Sequence, residues 1–145
     1  MSGEIQVADD TTMVEIVLKD ELQGTPLSGL EHEYVMMGRS FNIDPLLVVA
    51  IAFKESRYGT TYTKEFNASH HNAFGLMTKT GLMECDTWAQ CLTVQFNTIK
   101  RIIDREAKTI SMVGAVYAED PNWSVGVLAK YQQLWDKLQQ MKSSL

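Results

Sequence analysis

The sequence predicts a mainly α, α+β domain in which a helical bundle surrounds one buried central helix. Apolar residues recur at intervals of three or four along most of the chain, as they do on the buried face of a helix. The segment from Pro45 to Phe53 is apolar almost all round, which is typical of a helix inside a core. A polar stretch, residues 60–84, interrupts the helices. We expect it to form a loop or small β-hairpin that makes the opposite wall of a cleft.

Length and composition indicate one globular domain. The chain has 145 residues, of which 45% are hydrophobic and 21% charged, which suits a single folded core. Its 13 basic and 18 acidic side chains give a net charge of −5 without a long basic stripe. This balance argues against nucleic acid as a partner and is compatible with a glycan. The longest uncharged apolar run is far shorter than the roughly 20 residues that cross a bilayer, so we expect no stable membrane insertion.

Residues 1–26 differ from the remainder, residues 27–145, which form the main predicted domain. Val14, Ile16 and Leu18 stand at alternate positions, and a Gly-Thr-Pro breaker follows. Such alternation predicts a short strand or an ordered arm. The arm would belong either to the main domain or to the end of a preceding module.

Five helices are predicted after this segment. The first covers residues 28–40, because Ser28 and Glu31 have the spacing of a capping box. The second is the central helix, which begins at Pro45, a favoured first helical residue, and ends near Gly59.

Three further helices follow the polar stretch, in which we expect a hairpin turn at residues 79–81. Asp86 or Thr87 caps the third helix, Thr109 opens the fourth, and residues 120–122 introduce the last. The side chains expected to face the core are Trp88, Leu92, Phe96, Ile99, Ile103, Ile110, Val113, Val116, Trp123, Val127, Tyr131, Leu134, Trp135 and Leu138.

The cysteines leave two alternatives open. If Cys85 and Cys91 lay in one helix, their Cα atoms would be about 9 Å apart, which is too far for a disulfide. If Cys85 preceded the helix, a bridge would be possible; otherwise both are free, partly buried thiols. Neither these residues nor the adjacent His70 and His71 have the spacing of a metal site, and we expect neither metal nor organic cofactor.

Glu55 is the main candidate for chemistry. It is the only acid of the predicted central helix, on the same face as Ile51 and Ala52, and it lies near the negative end of the helix dipole. A largely dry environment and that dipole both raise the pKa of a carboxyl group. A protonated carboxyl can donate a proton to a glycosidic oxygen as the bond breaks. The alternative is a surface residue paired with Lys54 or Arg57.

Four segments occur in a characteristic order: Glu-Ser-Arg-Tyr-Gly at 55–59, Asn-Ala-Phe-Gly-Leu-Met at 72–77, Thr-Trp at 87–88 and Tyr-Ala-Glu-Asp-Pro-Asn-Trp at 117–123. Together they resemble the bacterial glucosaminidase family (mannosyl-glycoprotein endo-β-N-acetylglucosaminidase-like) of the lysozyme-like superfamily, over roughly residue 26 to the C-terminus. Members of that family are autolysins and flagellar and phage muramidases. The resemblance implies a lysozyme-like fold that cleaves peptidoglycan.

The resemblance also implies roles for individual residues. The family's catalytic glutamate matches Glu55, and its cleft tyrosine matches Tyr117, which could stabilise the reacting sugar or hold a water. Its Asn-x-Phe-Gly segment on the cleft wall matches Asn72, Phe74 and Gly75.

The second carboxylate departs from the family pattern. Clear members place a base on the hairpin after Asn-x-Phe-Gly, where this chain offers only Glu84, with Asp86 just beyond. Without a fixed base, cleavage could use substrate assistance, a water near Tyr117, or internal attack that gives an anhydro-sugar, as in lytic transglycosylases.

Aromatic residues beside the polar stretch are candidates for substrate contact. Tyr58 and Tyr62 could stack on sugars, and His71 could lie at the cleft rim.

The resulting hypothesis is a monomeric peptidoglycan hydrolase, a glucosaminidase or muramidase with Glu55 as general acid, acting on glycan strands. A non-catalytic peptidoglycan-binding or assembly module and a lytic transglycosylase are the alternatives. No signal peptide is visible at the start of the chain. We expect an extracellular, cell-wall-associated or phage-encoded protein.

Overall fold

The computed structural model of the protein describes residues 11–61, 70–105, 109–117, 120 and 122–144. These residues form six helices and one two-stranded hairpin, which confirms the mainly α, α+β prediction. In chain order the elements are α1 (Thr11–Leu22), α2 (Glu31–Phe41), α3 (Pro45–Ser56), β1 (Met77–Thr78), β2 (Gly81–Leu82), α4 (Trp88–Ile103), α5 (Ile110–Tyr117) and α6 (Trp123–Ser143).

The central helix α3 organises the core. All its residues from Pro45 to Ala52 are buried, as the uninterrupted apolar run predicts. Helix α6 packs along α3, and α2 packs against both α3 and α4. Helix α5 lies between α4 and α6. The final helix buries every side chain that the sequence assigned to its inward face: Val127, Tyr131, Leu134, Trp135 and Leu138.

Helix α3 begins where the sequence predicts, at Pro45, but it ends at Ser56, three residues before Gly59, near which the sequence placed its end. Asp44 is its N-cap, and the Asp44 carboxylate accepts a hydrogen bond of 2.9 Å from the amide of Leu46. Pro45 occupies the first helical turn, where its missing N–H costs nothing. The helix stops at Ser56 because Arg57 adopts a left-handed conformation, with φ of 49°.

The prediction of a strand near the N-terminus is wrong for the described residues. Residues Thr11–Leu22 are helical, and the buried side chains Met13, Val14, Val17, Leu18 and Leu22 follow the spacing of a helix face. Ile16, which the alternating pattern placed inward, is 51% exposed. Val14 and Leu18, four residues apart, can share one face of a helix as well as one face of a strand, and packing against α2 and α6 selects the helix. Residues 1–10 lie outside the described part.

A partly buried charge cluster holds α1 on the bundle. The Glu21 carboxylate lies 3.1 Å from the Lys130 ammonium and 3.4 Å from that of Lys137, both on α6. The Lys130 ammonium also lies 4.0 Å from the centre of the Phe53 ring. The N-terminal helix therefore shares the core of the residues that follow it.

Two details at helix starts correct the sequence analysis. The predicted capping box at Ser28 and Glu31 does not form, since α2 begins at Glu31 with Leu30 at the N-cap and no side-chain cap bond. The chain before it makes turns instead, in which the Leu30 amide bonds to the Leu27 carbonyl at 3.1 Å. Thr87, one of two predicted caps, begins α4 by accepting a bond from the Gln90 amide.

The hairpin confirms the predicted turn in the polar stretch. Strands β1 and β2 are antiparallel, with Met77 opposite Leu82 and Thr78 opposite Gly81. The turn therefore lies at residues 79–80. Val116, predicted to face the core, is instead 58% exposed on α5. The helical period alone could not show that α5 has a second, open side.

A buried acid joins the start of α3 to α6. Asp44 is fully buried, and one of its carboxylate oxygens accepts bonds from the Tyr131 hydroxyl at 2.5 Å and the Trp135 indole N–H at 3.2 Å. Burial raises the pKa of Asp44 to about 6, and the hydrogen bonds offset only part of that effect.

We predict that Asp44 makes the protein less stable as pH rises. Its folded-state pKa of about 6 exceeds its ordinary value of 3.8, so protonation of Asp44 favours folding. This contribution to the free energy of unfolding is fully present below the ordinary value and is lost as pH rises through the folded-state value. At roughly 1.4 kcal/mol per pKa unit, the loss amounts to about 3 kcal/mol by neutral pH. The free energy of unfolding, measured with urea at pH 4 and pH 8, should decrease less between the two for Asp44→Asn than for the wild type.

Asp136→Asn, which changes an exposed acid on the same helix α6, is the matched control and should keep the wild-type slope. An Asp44→Asn variant with an unchanged slope would contradict the prediction.

Candidate active site

A cleft of about 710 Å³ separates the hairpin from α4 and α5. Residues 74–77 and Met83 form the hairpin wall, and α4 and the turn after it form the second wall. Val116 and Tyr117 of α5 border the cleft, and Glu55 projects into it from the end of α3. The structure thus brings the principal catalytic candidate to the predicted cleft.

Glu55 is held by a buried tryptophan. The indole N–H of Trp123 donates a hydrogen bond of 2.7 Å to Glu55 Oε1. Burial of the carboxyl raises its pKa, while the Trp123 bond and the positive charge of Lys54 oppose the rise. The raised pKa of Glu55 agrees with the direction predicted from the sequence.

The surroundings of Glu55 are wetter than the sequence suggests. Its side chain is exposed on the cleft side, whereas Ala52, one turn earlier on α3, is fully buried. The last turn of α3 emerges from the core, which the helical period cannot reveal. In the described part of the chain, Glu55 forms no ion pair with Lys54 or Arg57.

Ser56 connects the end of α3 to the hairpin segment. Its buried hydroxyl donates to the Ala73 carbonyl at 2.7 Å and accepts from the Gly59 amide at 2.9 Å. Gly75 then passes close to the carboxyl in a left-handed conformation, with φ of +67°. A Cβ atom at Gly75 would lie 3.6 Å from Glu55 Oε2. Glycine at this position therefore places no side chain against this oxygen of Glu55.

Asn72 is a structural anchor of the cleft wall. Its side-chain amide donates to the carbonyls of Leu76 at 2.9 Å and Met83 at 3.0 Å. Its carbonyl oxygen accepts from the amides of Phe74 at 3.3 Å and Leu76 at 3.1 Å. Since Asn72 is fully buried and all four bonds are used, its position does not support the predicted contact with substrate.

Tyr117 joins three parts of the cleft. Its hydroxyl donates to the Phe74 carbonyl at 3.2 Å and accepts from the Gln95 side chain on α4 at 3.0 Å. Its ring lies 5.0 Å from that of Trp123. Burial and the nearby Glu55 charge raise the pKa of Tyr117, so the phenol remains protonated. These bonds assign Tyr117 a positioning role, because its only hydroxyl hydrogen is already donated.

Two predicted contact residues lie away from the cleft. Tyr58 is 4% exposed and packs 5.4 Å from the Phe53 ring centre, so it is a core residue and its predicted stacking on sugars is not supported. His71 is half-buried; its Nδ1 bonds to the Cys85 carbonyl at 2.8 Å, and its ring meets Trp88 edge-on. Its interactions hold the base of the hairpin.

The remaining candidates have different outcomes. Phe74 and Gly75 line the cleft, and their contact with a substrate stays a prediction. Glu84 is exposed and does not line the cleft, so its role as a base stays a prediction without support from its position. Tyr62 falls outside the described residues.

Sequence reasoning missed several residues of the cleft. Trp123 was assigned only to the core; it is 3% exposed, but its N–H reaches Glu55. Gln95 was not considered, although a polar residue between Leu92 and Phe96 on an inward helix face is a usable signal. Arg101, on α4, was also missed, because nothing local in the sequence shows which side of α4 borders the cleft.

A disulfide fixes the end of the hairpin to α4. Cys85 precedes the helix and is bonded to Cys91, with their Cα atoms 5.7 Å apart. The bridged alternative is therefore confirmed, and the free-thiol alternative is wrong. Across the described ranges, His, Cys, Asp and Glu side chains do not cluster as metal ligands.

A second, smaller cavity lies on the other side of Glu55. It has a volume of about 330 Å³ and is bordered by Lys54, Arg57, Thr61 and Gly126. Glu55 therefore stands where two concave surfaces meet. An extended ligand can contact protein on both sides of the carboxyl.

Comparisons with known proteins do not assign the chain to a family. No protein-family model matches the chain, and no curated protein shows significant sequence similarity to it. Within the described ranges, each helix is too short or too polar to traverse a lipid bilayer.

We predict that Asn72→Asp disrupts the hairpin wall. The new carboxylate oxygen would face the carbonyls of Leu76 and Met83 without a hydrogen to donate. Leaving such buried groups unpaired costs about 1–3 kcal/mol, which urea unfolding would measure. Amide hydrogen exchange of Met83, whose N–H bonds to Leu76, should also accelerate.

The control is Asn97→Asp, at an exposed position on α4, where the expected change is within about 0.5 kcal/mol. Equal stability of Asn72→Asp and wild type would show that the Asn72 bonds do not hold the wall.

Proposed function

We propose that the protein cleaves the β-1,4 bonds of peptidoglycan glycan strands, with Glu55 as the general acid. The observation that carries this proposal is the Glu55 carboxyl itself, which has a raised pKa, an indole N–H on Oε1 and a position that borders two concave surfaces. General acids in glycoside hydrolysis need this combination of a protonated state and access to the leaving oxygen.

The chemical step follows from the two oxygens of Glu55. Oε1 accepts the Trp123 N–H, which fixes the carboxyl and leaves the proton on Oε2. As the glycosidic C–O bond breaks, that proton passes to the departing sugar oxygen. The resulting carboxylate is stabilised by the Trp123 bond and the Lys54 charge. A water or a hydroxyl of the substrate then attacks the anomeric carbon and returns its proton to Glu55.

The cleft surface suits an amphipathic sugar polymer. Met77 on the hairpin is 66% exposed and Val116 on α5 is 58% exposed, and both line the cleft. Such apolar side chains can pack on sugar faces and acetyl methyl groups, while polar groups fix orientation. Exposed apolar residues that cluster in one cleft indicate a binding surface, whereas apolar residues scattered singly over a protein do not.

A lytic transglycosylase is the second candidate. Among the described residues that border the two cavities, Glu55 is the only carboxylic acid. One acid is enough when a hydroxyl of the same sugar attacks internally, because a second carboxylate is then not needed to activate water. Mass spectrometry of digested peptidoglycan separates these reactions, since the anhydro product lacks one water. The identity of the new reducing end distinguishes a glucosaminidase from a muramidase.

A non-catalytic peptidoglycan-binding or cell-wall assembly module remains the alternative outside enzymes. It requires that wild-type protein sediments with purified peptidoglycan and releases no soluble fragments. The Cys85–Cys91 disulfide supports an oxidising location, in keeping with an extracellular, cell-wall or phage-encoded protein. The monomeric state stays a prediction.

Glu55→Gln should abolish cleavage and preserve the fold. The glutamine oxygen can still accept the Trp123 N–H but the side chain has no acidic proton to donate. General acid catalysis contributes about 10²- to 10⁴-fold in rate, so turnover of purified peptidoglycan should fall by at least about 100-fold. Fragment release and circular dichroism measure the two properties.

Asp136→Asn, again an acid-to-amide change on the surface of α6, should retain wild-type turnover. Activity of Glu55→Gln within a few-fold of wild type would exclude Glu55 as the acid.

The pH profile should follow the protonated form of Glu55. Because burial raises its pKa above the ordinary 4.5, the rate should be high at acidic pH and fall as pH rises through the raised value. Lys54→Gln removes a positive charge that lowers this pKa, so its alkaline limb should move to higher pH. Lys142→Gln, at an exposed lysine in the last turn of α6, is the control. A limb that moves to lower pH in Lys54→Gln would contradict the assignment.

A further inference from the structure

Two arginines, one on α4 and one in the turn that follows it, border the cleft. Val94, Thr98, Arg101 and Arg105 all border the cleft, and their spacing of four, three and four residues places them along one helical stripe. Arg105 lies in the turn that follows α4, where its amide bonds to the Ile102 carbonyl at 3.2 Å. Both arginines therefore belong to the wall opposite the hairpin.

Neither arginine is neutralised by an acid in the described part of the chain. Arg101 makes a long hydrogen bond of 3.4 Å to the Thr98 hydroxyl, which carries no charge. Asp104, which directly precedes Arg105 in the sequence, forms an ion pair with Lys100 at 3.2 Å. Each guanidinium has five N–H donors, so most remain available to a ligand.

The arginines are displaced from the reacting carboxyl along the cleft. Gln95 marks the Glu55 end of α4, because it bonds to Tyr117, whose ring packs on the Trp123 that holds Glu55. Arg101 lies six residues further along the helix, which is about 9 Å at 1.5 Å per residue. A group bound by the arginines is therefore a substituent or a neighbouring sugar rather than the bond being cut.

The charge of the cleft is opposite to that of the whole protein. The chain has a net charge of −5, which repels polyanions in general. In the described cleft lining, two arginines face one acid, Glu55, which is uncharged in its active form. An anionic group is thus favoured at this end of the cleft.

We propose that Arg101 and Arg105 form a subsite for a carboxylate carried by the sugar next to the scissile bond. The protein would then prefer glycan strands with acidic substituents over neutral amino-sugar polymers. This inference rests on the proposed glycan-strand substrate. In peptidoglycan the carboxylate has two sources, the lactyl group of the sugar and the peptide attached to it.

Binding by the Glu55→Gln variant tests the subsite without turnover. Calorimetry would use three soluble ligands of equal length: strands with peptides, strands whose peptides have been removed to free the lactyl carboxylate, and neutral chitin oligomers. We expect about tenfold tighter binding of at least one acidic ligand than of the neutral one, from two partly exposed charge-assisted contacts. High salt should reduce the preference, because ions screen exposed charges.

Adding Arg101→Gln and Arg105→Gln to Glu55→Gln should remove the preference. The matched control adds Arg39→Gln, an exposed arginine on α2 that borders neither described cavity, and should retain it. A preference for the peptide-free strands alone identifies the lactyl carboxylate, and a preference for the peptide-bearing strands alone identifies the peptide. A preference for both shows that the subsite accepts either carboxylate, and each of these three results supports it. Equal affinity for all three ligands, no binding to any, or a preference that survives the double change overturns it.

The outcome is separable from that of the proposed function. If the wild type cleaves peptidoglycan but the binding assay shows no preference for acidic ligands, the enzymatic function is supported and the arginine subsite is contradicted. If the binding assay shows a preference for acidic ligands but the wild type does not cleave peptidoglycan, the arginine subsite is supported and the enzymatic function is contradicted.

Discussion

The position of Glu55 depends on the junction between the end of α3 and the hairpin segment. The Ser56 hydroxyl ties the helix end to the Ala73 carbonyl, and two residues later Gly75 brings the backbone beside the Glu55 carboxyl. Asn72 then holds the turn into the hairpin through four buried bonds. These local, buried bonds therefore connect the cleft wall to the end of the helix that carries Glu55.

Opposing effects set the chemistry of that carboxyl. Its removal from water favours the protonated form, whereas the Trp123 N–H and the Lys54 charge favour the ionised form. A general acid must both hold a proton and release it, so a balance between these effects is more useful than complete burial. The partial exposure of Glu55 is compatible with such a balance and is one reason for the role proposed above.

Much of the fold was predictable because its signals are local. Each signal depends on residues close together in the sequence. Examples are the N-cap and proline that start α3, the turn residues of the hairpin and the inward-facing residues of α6. The error at α1 has a different origin. Val14 and Leu18 fit one face of either a strand or a helix, and only packing against α2 and α6 decides between the two.

The sequence by itself determined the central helix, the acid at its end and the polar excursion that faces it, because each follows from residue type and period. The tertiary structure decided which side chains meet. Only packing brings Trp123 to Glu55 across 68 positions, buries Tyr58, and turns the arginine stripe of α4 toward the cleft. Contacts between distant segments depend on how helices pack, and single-sequence periodicity carries no information about that packing.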